Sequence, residues 1–293
     1  MIDIHFIVNP IAGSGHHSFS VPFLRDYFEA DRYTITIKSS AFKGNAIDLT
    51  KESINEKADI IVACGGDGTI NEVASTLVGT TIPLGIVPIG SGNGLACNLN
   101  IPKNIQKALY IIKNNQTTNI DVGCVNQRYF FSNTGFGFTA HVIQNYEALQ
   151  TRTLWCYLKA SLKSFQQYSK KNGVVISVND KTELVNPFLI FVSNSNVMGY
   201  NVSLTPKASL KDGLLDVIIV PKISKLKMLL FGFCMLINKI GLLKEVRYYQ
   251  TNELTLSRKQ GAFFESQIDG EISKINDTIL SISIKKESLS VLI

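Results

Sequence analysis

Cys64-Gly65-Gly66-Asp67-Gly68-Thr69-Ile70-Asn71-Glu72-Val73 decides how this chain is read. In front of it, Asp59-Ile60-Ile61-Val62-Ala63 reads as a strand buried on both faces. Behind it, Glu72-Val73-Ala74-Ser75-Thr76-Leu77 reads as a helix. Glycines at such a junction let the backbone approach a ligand closely. Loop amides next to a helix N-terminus form an anion site. Asp67 would repel a bare phosphate, so its place there is intelligible if it works through a divalent metal or in proton chemistry. A helix N-cap is its bland alternative. The stretch therefore predicts a nucleotide phosphate with a metal nearby.

Working outward, Ile4-His5-Phe6-Ile7-Val8 reads as a strand ending at Asn9-Pro10 and a loop with Gly13 and Gly15. A helix is expected through Phe23, Leu24, Tyr27 and Phe28, then a strand at Tyr33-Thr34-Ile35-Thr36-Ile37 and a helix around Ala46-Ile47-Asp48-Leu49. Pro83-Leu84-Gly85-Ile86-Val87 reads as a fourth strand, followed by Gly90-Ser91-Gly92-Asn93-Gly94-Leu95-Ala96 and a helix over Ile105 to Ile112. This alternation predicts a parallel sheet with helices on its faces. Loops at the carboxyl ends of its strands, after Val8, Ala63 and Val87, are placed to converge on one crevice.

Beyond about residue 120 the pattern becomes short runs with a period of two. Examples are Val174-Val175-Ile176-Ser177-Val178, Leu215-Asp216-Val217-Ile218-Ile219-Val220 and Ile279-Leu280-Ser281-Ile282-Ser283-Ile284. They predict an antiparallel sandwich, with helices inserted near 153–168 and 225–243. The expected organisation is an α/β domain over 1–120 and a β-rich domain over 121–293, with the active site in the cleft between them.

The bulk numbers constrain function weakly. A chain of 293 residues with 45% hydrophobic and 18% charged content has an ordinary soluble composition. Net charge +6 and a pI near 8.9 suit a nucleotide, a phosphorylated product or an acidic membrane surface, and equally no anionic partner at all. No nucleic-acid partner is expected. Five scattered cysteines without a Cys-x-x-Cys pair suggest reduced, buried thiols in a cytoplasmic protein, and the N-terminus shows no secretory pattern. The apolar run from Met228 to Ile237, bracketed by Lys227 and Lys239, is too short to span a bilayer. It is expected to be a buried helix or a surface in transient contact with lipid. None of the four histidines has metal-ligand spacing with a partner. Exposed sandwich edges leave a homodimer open.

Taken together, these motifs resemble the diacylglycerol kinase catalytic-domain family, which includes sphingosine and ceramide kinases and soluble bacterial lipid kinases. The resemblance rests on Asn9-Pro10 with Gly13 and Gly15, Gly65 to Val73, Gly90 to Ala96, and Phe131-Ser132-Asn133 with Gly135 to Phe138. It continues through Pro206, Ala208, Asp212 to Val217, and Ile268-Asp269-Gly270-Glu271. Gly-Gly-Asp-Gly-Thr alone is shared with NAD kinases; six motifs in order separate far more.

The resemblance implies an ATP-dependent kinase acting on a lipid hydroxyl presented at a membrane surface, with diacylglycerol as the default acceptor. It implies that Asn9, Ser40, Gly65, Gly66, Asp67, Gly68, Thr69, Ile70, Asn71 and Ser91 surround ATP, with Asp67 on the ATP-bound Mg²⁺. Glu271 becomes the proton acceptor with Asp269 beside it; in a regular strand both carboxylates would share a face. Asp-Gly is otherwise a common hairpin turn. Asp212 with the carbonyls of Ser209 and Leu214 is implied to hold a structural Mg²⁺. Asn93-Gly94, where many bacterial members carry Asp after Asn, keeps a sphingoid base or another lipid alcohol open as acceptor. An NAD kinase-like enzyme and a nucleotide- or lipid-binding regulator without turnover are the competing readings.

Overall fold

Aliphatic runs that hydrate poorly, punctuated by glycine turns, build the first third of the chain into a parallel sheet, as the alternation predicts. The computed structural model describes residues 1–13, 19–90, 92–149, 154–167, 173–179, 181–196, 203–237, 239–258 and 264–293. Two units are resolved by residue contacts: Met1–Val122 with Lys286–Ile293, and Gly123–Lys285.

In the first unit, β1 (Ile2–Val8), α1 (Val21–Arg25), β2 (Tyr33–Ser39), α2 (Asn45–Asn55), β3 (Ile60–Gly65), α3 (Asp67–Leu77) and β4 (Leu84–Pro88) follow one another. The strands pair in parallel in the order β2-β1-β3-β4. Every residue of β3 and β4 is buried, which is what helices on both faces of a parallel sheet require. α4 (Gly94–Asn98) and α5 (Ile105–Asn114) come next. Asn104 caps α5 by accepting the Lys107 amide, and Ser20 caps α1 by accepting that of Phe23. The helix expected through Phe28 ends at Arg25, but Phe28 still packs edge-on against Phe6 and Tyr33.

The rest of the chain continues as β5 (Thr117–Val125), β6 (Arg128–Phe130), β7 (Asn133–Gly137), α6 (Phe138–Glu147), α7 (Leu154–Gln167), β8 (Val174–Val178), β9 (Lys181–Val185) and β10 (Pro187–Ser193). Then come β11 (Leu215–Pro221), α8 (Lys225–Leu236), β12 (Arg247–Thr251), β13 (Glu253–Ser257), β14 (Phe264–Ile268), β15 (Glu271–Ile275) and β16 (Ile279–Leu292). In the second unit, β12-β11-β10-β7-β14-β15 form a six-stranded sheet whose pairings are all antiparallel. A second antiparallel array is built from β13 with β8 and β16, and from β8 with β9.

The period of two sorts this unit into layers. Ile190, Val192, Val217 and Ile219 turn one way, into a core shared with Ile176, Leu254, Leu256 and Leu280. Leu189, Phe191, Ile218 and Val220 turn the other way, against Met228, Phe231 and Cys234 of α8. That double-sided burial explains why Pro187 to Val192 and Leu215 to Val220 read as nearly unbroken apolar runs.

One reading from sequence is corrected. Asp269 and Glu271 do not share a strand. Asp269 and Gly270, with φ of 47° and 81°, are the two-residue turn between β14 and β15, across which Ile268 pairs with Glu271. Positive φ at both central positions matches the right-handed twist of the flanking strands, and Asp-Gly supplies it cheaply.

Candidate functional site

The geometry of the first unit begins with a missing cap. The N-cap of α3 is Gly66, in an extended conformation and with no side chain to accept the first-turn amides. A helix start left this way points its amide donors and the positive end of its dipole toward a ligand. Asp67, the first helical residue, does not cap α3. Its carboxylate reaches the next loop and accepts the amides of Asn93 at 2.8 Å and Gly94 at 2.6 Å. It thereby caps α4, closing two glycine-rich loops around one charge.

The loops touch closely. A Cβ on Gly90 would lie 2.6 Å from the Cα of Gly66, and one on Gly92 would lie 2.6 Å from Asp67 Oδ2. Asn93 adopts the left-handed conformation, is fully buried, and donates from Nδ2 to the Gly90 carbonyl at 2.6 Å. Its Oδ1 has no hydrogen-bond partner among the described residues.

The end of β1 joins the same cluster. Asn9 donates its amide to the Cys64 carbonyl, accepts the Ile11 amide at Oδ1, and donates from Nδ2 to Thr69 Oγ1 at 3.2 Å. The Ser40 amide bonds the Val8 carbonyl, and the Ile89 amide bonds the Gly65 carbonyl. Asn9, Ser40 and the stretch from Gly65 to Thr69 are therefore brought together at the carboxyl ends of the strands. Ile70 is 2% exposed and belongs to the core. Asn71 accepts the Ser75 hydroxyl on the flank of α3. Ser91 lies outside the described residues, as do Gly15, His16 and His17. Sequence reasoning weighed Asn93 only for acceptor choice and did not place it in the nucleotide site, although an asparagine between glycines was a signal. It also passed over Glu72, which accepts the Gly44 amide and ties the start of α2 to α3.

In the second unit, Asp269 is held by backbone. Its oxygens accept the amides of Phe131 at 2.9 Å, Ser132 at 2.7 Å and Asn133 at 3.0 Å. Its own amide donates to the Asn133 carbonyl. Below it, buried Gln267 donates to Asn133 Oδ1 at 2.7 Å and accepts the Gly270 amide at 2.8 Å. Ser132 in turn offers its carbonyl to the amides of Asn194 and Ser195. This web fixes the turn that leads into Glu271, the first residue of β15 and half-buried. The following amide, of Ile272, donates to Glu147 Oε1.

The loop before β11 holds the third candidate group. Asp212 is exposed and accepts the Leu214 amide at Oδ1 across Gly213, while Ser209 Oγ accepts the Lys211 amide. No cluster of three or more His, Cys, Asp or Glu side chains able to hold a metal occurs among the described residues. A cation here would depend on one carboxylate and main-chain carbonyls, an all-oxygen set that fits Mg²⁺ or Ca²⁺ chemically. Asp67 also fits, since each of its oxygens accepts one amide and an ionised carboxylate has further lone pairs. Two residues past Leu214, Asp216 is fully buried on β11 and receives the Tyr248 hydroxyl. Burial pushes its carboxyl up to about 6; a hydrogen bond from Gln250 opposes the shift and the charge of Asp212 adds to it.

Comparisons with known proteins bear on family and fold. Residues 3–125 match the family described as "Diacylglycerol kinase catalytic domain", and residues 132–292 match "YegS C-terminal NAD kinase beta sandwich-like domain". Over 221 residues the chain is 30% identical to the diacylglycerol kinase of Bacillus subtilis strain 168, covering 74% of this chain and 73% of that one. It is 27% identical to the diacylglycerol kinase of Staphylococcus aureus MRSA252, over 74% and 70%. A crystal structure of a diacylglycerol kinase from Bacillus anthracis Sterne superposes with a TM-score of 0.76 at 20% identity, covering 99% of this chain and 96% of that one. At that identity the likeness speaks for the fold.

Proposed function

The chain belongs to the diacylglycerol kinase catalytic-domain family, with the YegS-type C-terminal domain, and from that premise we propose that it transfers the γ-phosphoryl group of MgATP to a lipid hydroxyl, that of diacylglycerol first. The observation that carries the reading is the Asp67 carboxylate bridging the two glycine loops beside an uncapped helix start. A structural turn has no need of a glycine-lined approach, an open helix N-terminus and a fixed negative charge at one point.

Phosphoryl transfer asks a protein mainly for positioning and charge neutralisation. The amides of the Gly65–Thr69 stretch bind phosphate oxygens, and Asn9 and Ser40 supply polar groups at the ends of neighbouring strands. Ser91 and Asn71 complete the nucleotide site in this reading. Magnesium, when bound, would supply positive charge to offset that of the phosphates. Asp67 orients that ion, and the Asn93 and Gly94 amides orient Asp67. Glu271 accepts the proton of the attacking hydroxyl. Asp269 and Gln267 hold the turn that presents Glu271 and are positioning residues. Asp212, with the carbonyls of Ser209 and Leu214, would hold a structural Mg²⁺. The enzyme works in the cytoplasm and meets its acceptor at the membrane surface.

The test is ADP release by the purified protein with MgATP and, separately, diacylglycerol micelles, a sphingoid base in micelles, and NAD. Turnover with diacylglycerol above the other two supports the proposal. Turnover with NAD alone would make it an NAD kinase. Nucleotide binding without turnover on any acceptor would make it a regulator.

A further inference from the structure

α8 is apolar on two opposite faces, and among the described residues only one of them is covered. Met228, Phe231 and Cys234 pack against β10 and β11. Leu226, Leu229, Leu230, Phe233 and Ile237 are 77%, 54%, 47%, 58% and 42% exposed. Spaced at i, i+3, i+4, i+7 and i+11, these five fall within a stripe about 100° wide on a helix. Monomeric proteins rarely leave so much contiguous aliphatic surface in water.

The charges around the stripe are arranged without regard to the helix's own stability. Its first turn contains no acidic residue and carries Lys225 and Lys227, one on each side of the stripe. Cations at a helix N-terminus oppose the macrodipole, so helix stability alone would favour Asp or Glu there. Lys239 and Lys244, both exposed, follow at the other end, and Glu245 is paired with Lys227. A stripe of leucine and phenylalanine rimmed by lysine is the pattern of a helix lying in a membrane interface. Among the described residues no helix is long and apolar enough to cross a membrane.

We propose that the exposed face of α8 seats the protein on an anionic bilayer, with the leucines and Phe233 entering the acyl boundary and the lysines meeting lipid phosphates. Charge complementarity selects this occupant over a second copy of the chain, because two copies of a lysine-rimmed stripe would repel. The inference rests on the lipid-kinase reading for its purpose, but its test does not depend on turnover.

The full chain is sedimented with vesicles of phosphatidylcholine alone and of phosphatidylcholine with phosphatidylglycerol. The wild type is expected to bind the anionic vesicles preferentially, and less so at high salt. The double variant Leu229→Gln/Phe233→Gln should bind about tenfold more weakly or worse, and Lys225→Glu should lose the preference for phosphatidylglycerol. All altered side chains are exposed, so melting temperatures should stay near that of the wild type. Turnover of a water-soluble short-chain diacylglycerol should be unchanged in each. Equal vesicle binding by wild type and double variant would overturn the proposal. So would a drop in solution mass for the variant with vesicle affinity intact, which would mark a self-association face. Loss of all turnover on short-chain diacylglycerol, with vesicle binding as expected, would count against the kinase reading and leave the docking face standing.

Discussion

The Asp67 carboxylate, at the start of α3, accepts the backbone amide of Gly94 at 2.6 Å, so a residue of the first glycine loop caps the helix that follows the second. The charge shapes the loops, and in the proposed function it has a second duty, orienting a metal on the phosphates. Substituting Asp67→Asn separates the two. Loss of a charge-assisted bond should lower stability by about 1.5–3 kcal/mol. Removing the metal-orienting charge should cut kcat by about a hundredfold or more. Thermal unfolding and ADP release measured on the same preparation check both; a stability loss with kcat retained would reduce Asp67 to a cap.

Gly92→Ala probes the same contact from the other side. Its Cβ would sit 2.6 Å from Asp67 Oδ2, so the loop or the carboxylate must shift. The expected outcome is a loss of about 1–3 kcal/mol, as for other overpacked sites. With it, the KM for ATP should rise while the acceptor KM stays as in the wild type, as steady-state kinetics would register.

Asp269 and Glu271 should part company under mutation. Asp269→Ala strips three backbone amides of their acceptor, so unfolding should ease by about 3 kcal/mol or more. Glu271→Gln leaves the three amides on Asp269 with their acceptor and should cost less stability than Asp269→Ala. Phosphoryl transfer should nonetheless fall steeply in both. Urea titrations of the two proteins make the comparison.

Asp216 sets a pH dependence. Its folded carboxyl titrates at about 6 against 3.8 when unexposed to such burial, so the folded state holds its proton more tightly. Stability from this group is fully present below the unfolded value and is lost as pH rises through about 6. In chelator, Asp216→Asn should match the wild type near pH 4 and exceed it by about 1–2 kcal/mol above pH 7, solvent screening included. Melting curves across that range show the crossover or its absence.

What the sequence reveals, and what it hides, follows from the range of each interaction. β3, β4 and the glycine loops are legible because local periodicity and glycine spacing cause them. β7 and β12 are not, since Asn133-Thr134-Gly135-Phe136-Gly137 and Arg247-Tyr248-Tyr249-Gln250-Thr251 have weak apolar alternation and owe their strand form to pairing partners. The Asp67–Gly94 bond spans 27 positions and leaves no local trace. Asp269-Gly270 is readable as a turn from its composition, and of the two readings the sequence left open, regular strand or hairpin turn, the turn is the one observed. The run from Met228 to Ile237 looks uniformly apolar in sequence, and only the position of β10 and β11 divides it into a buried face and a bare one.

The most direct measurement of the central claim is transfer of label from radiolabelled ATP into lipid, with wild type and Glu271→Gln side by side in diacylglycerol micelles. The account predicts labelled phosphatidic acid from the wild type and at least about a hundredfold less from the variant. Equal labelling by both proteins, or label entering NAD and no lipid, would contradict it.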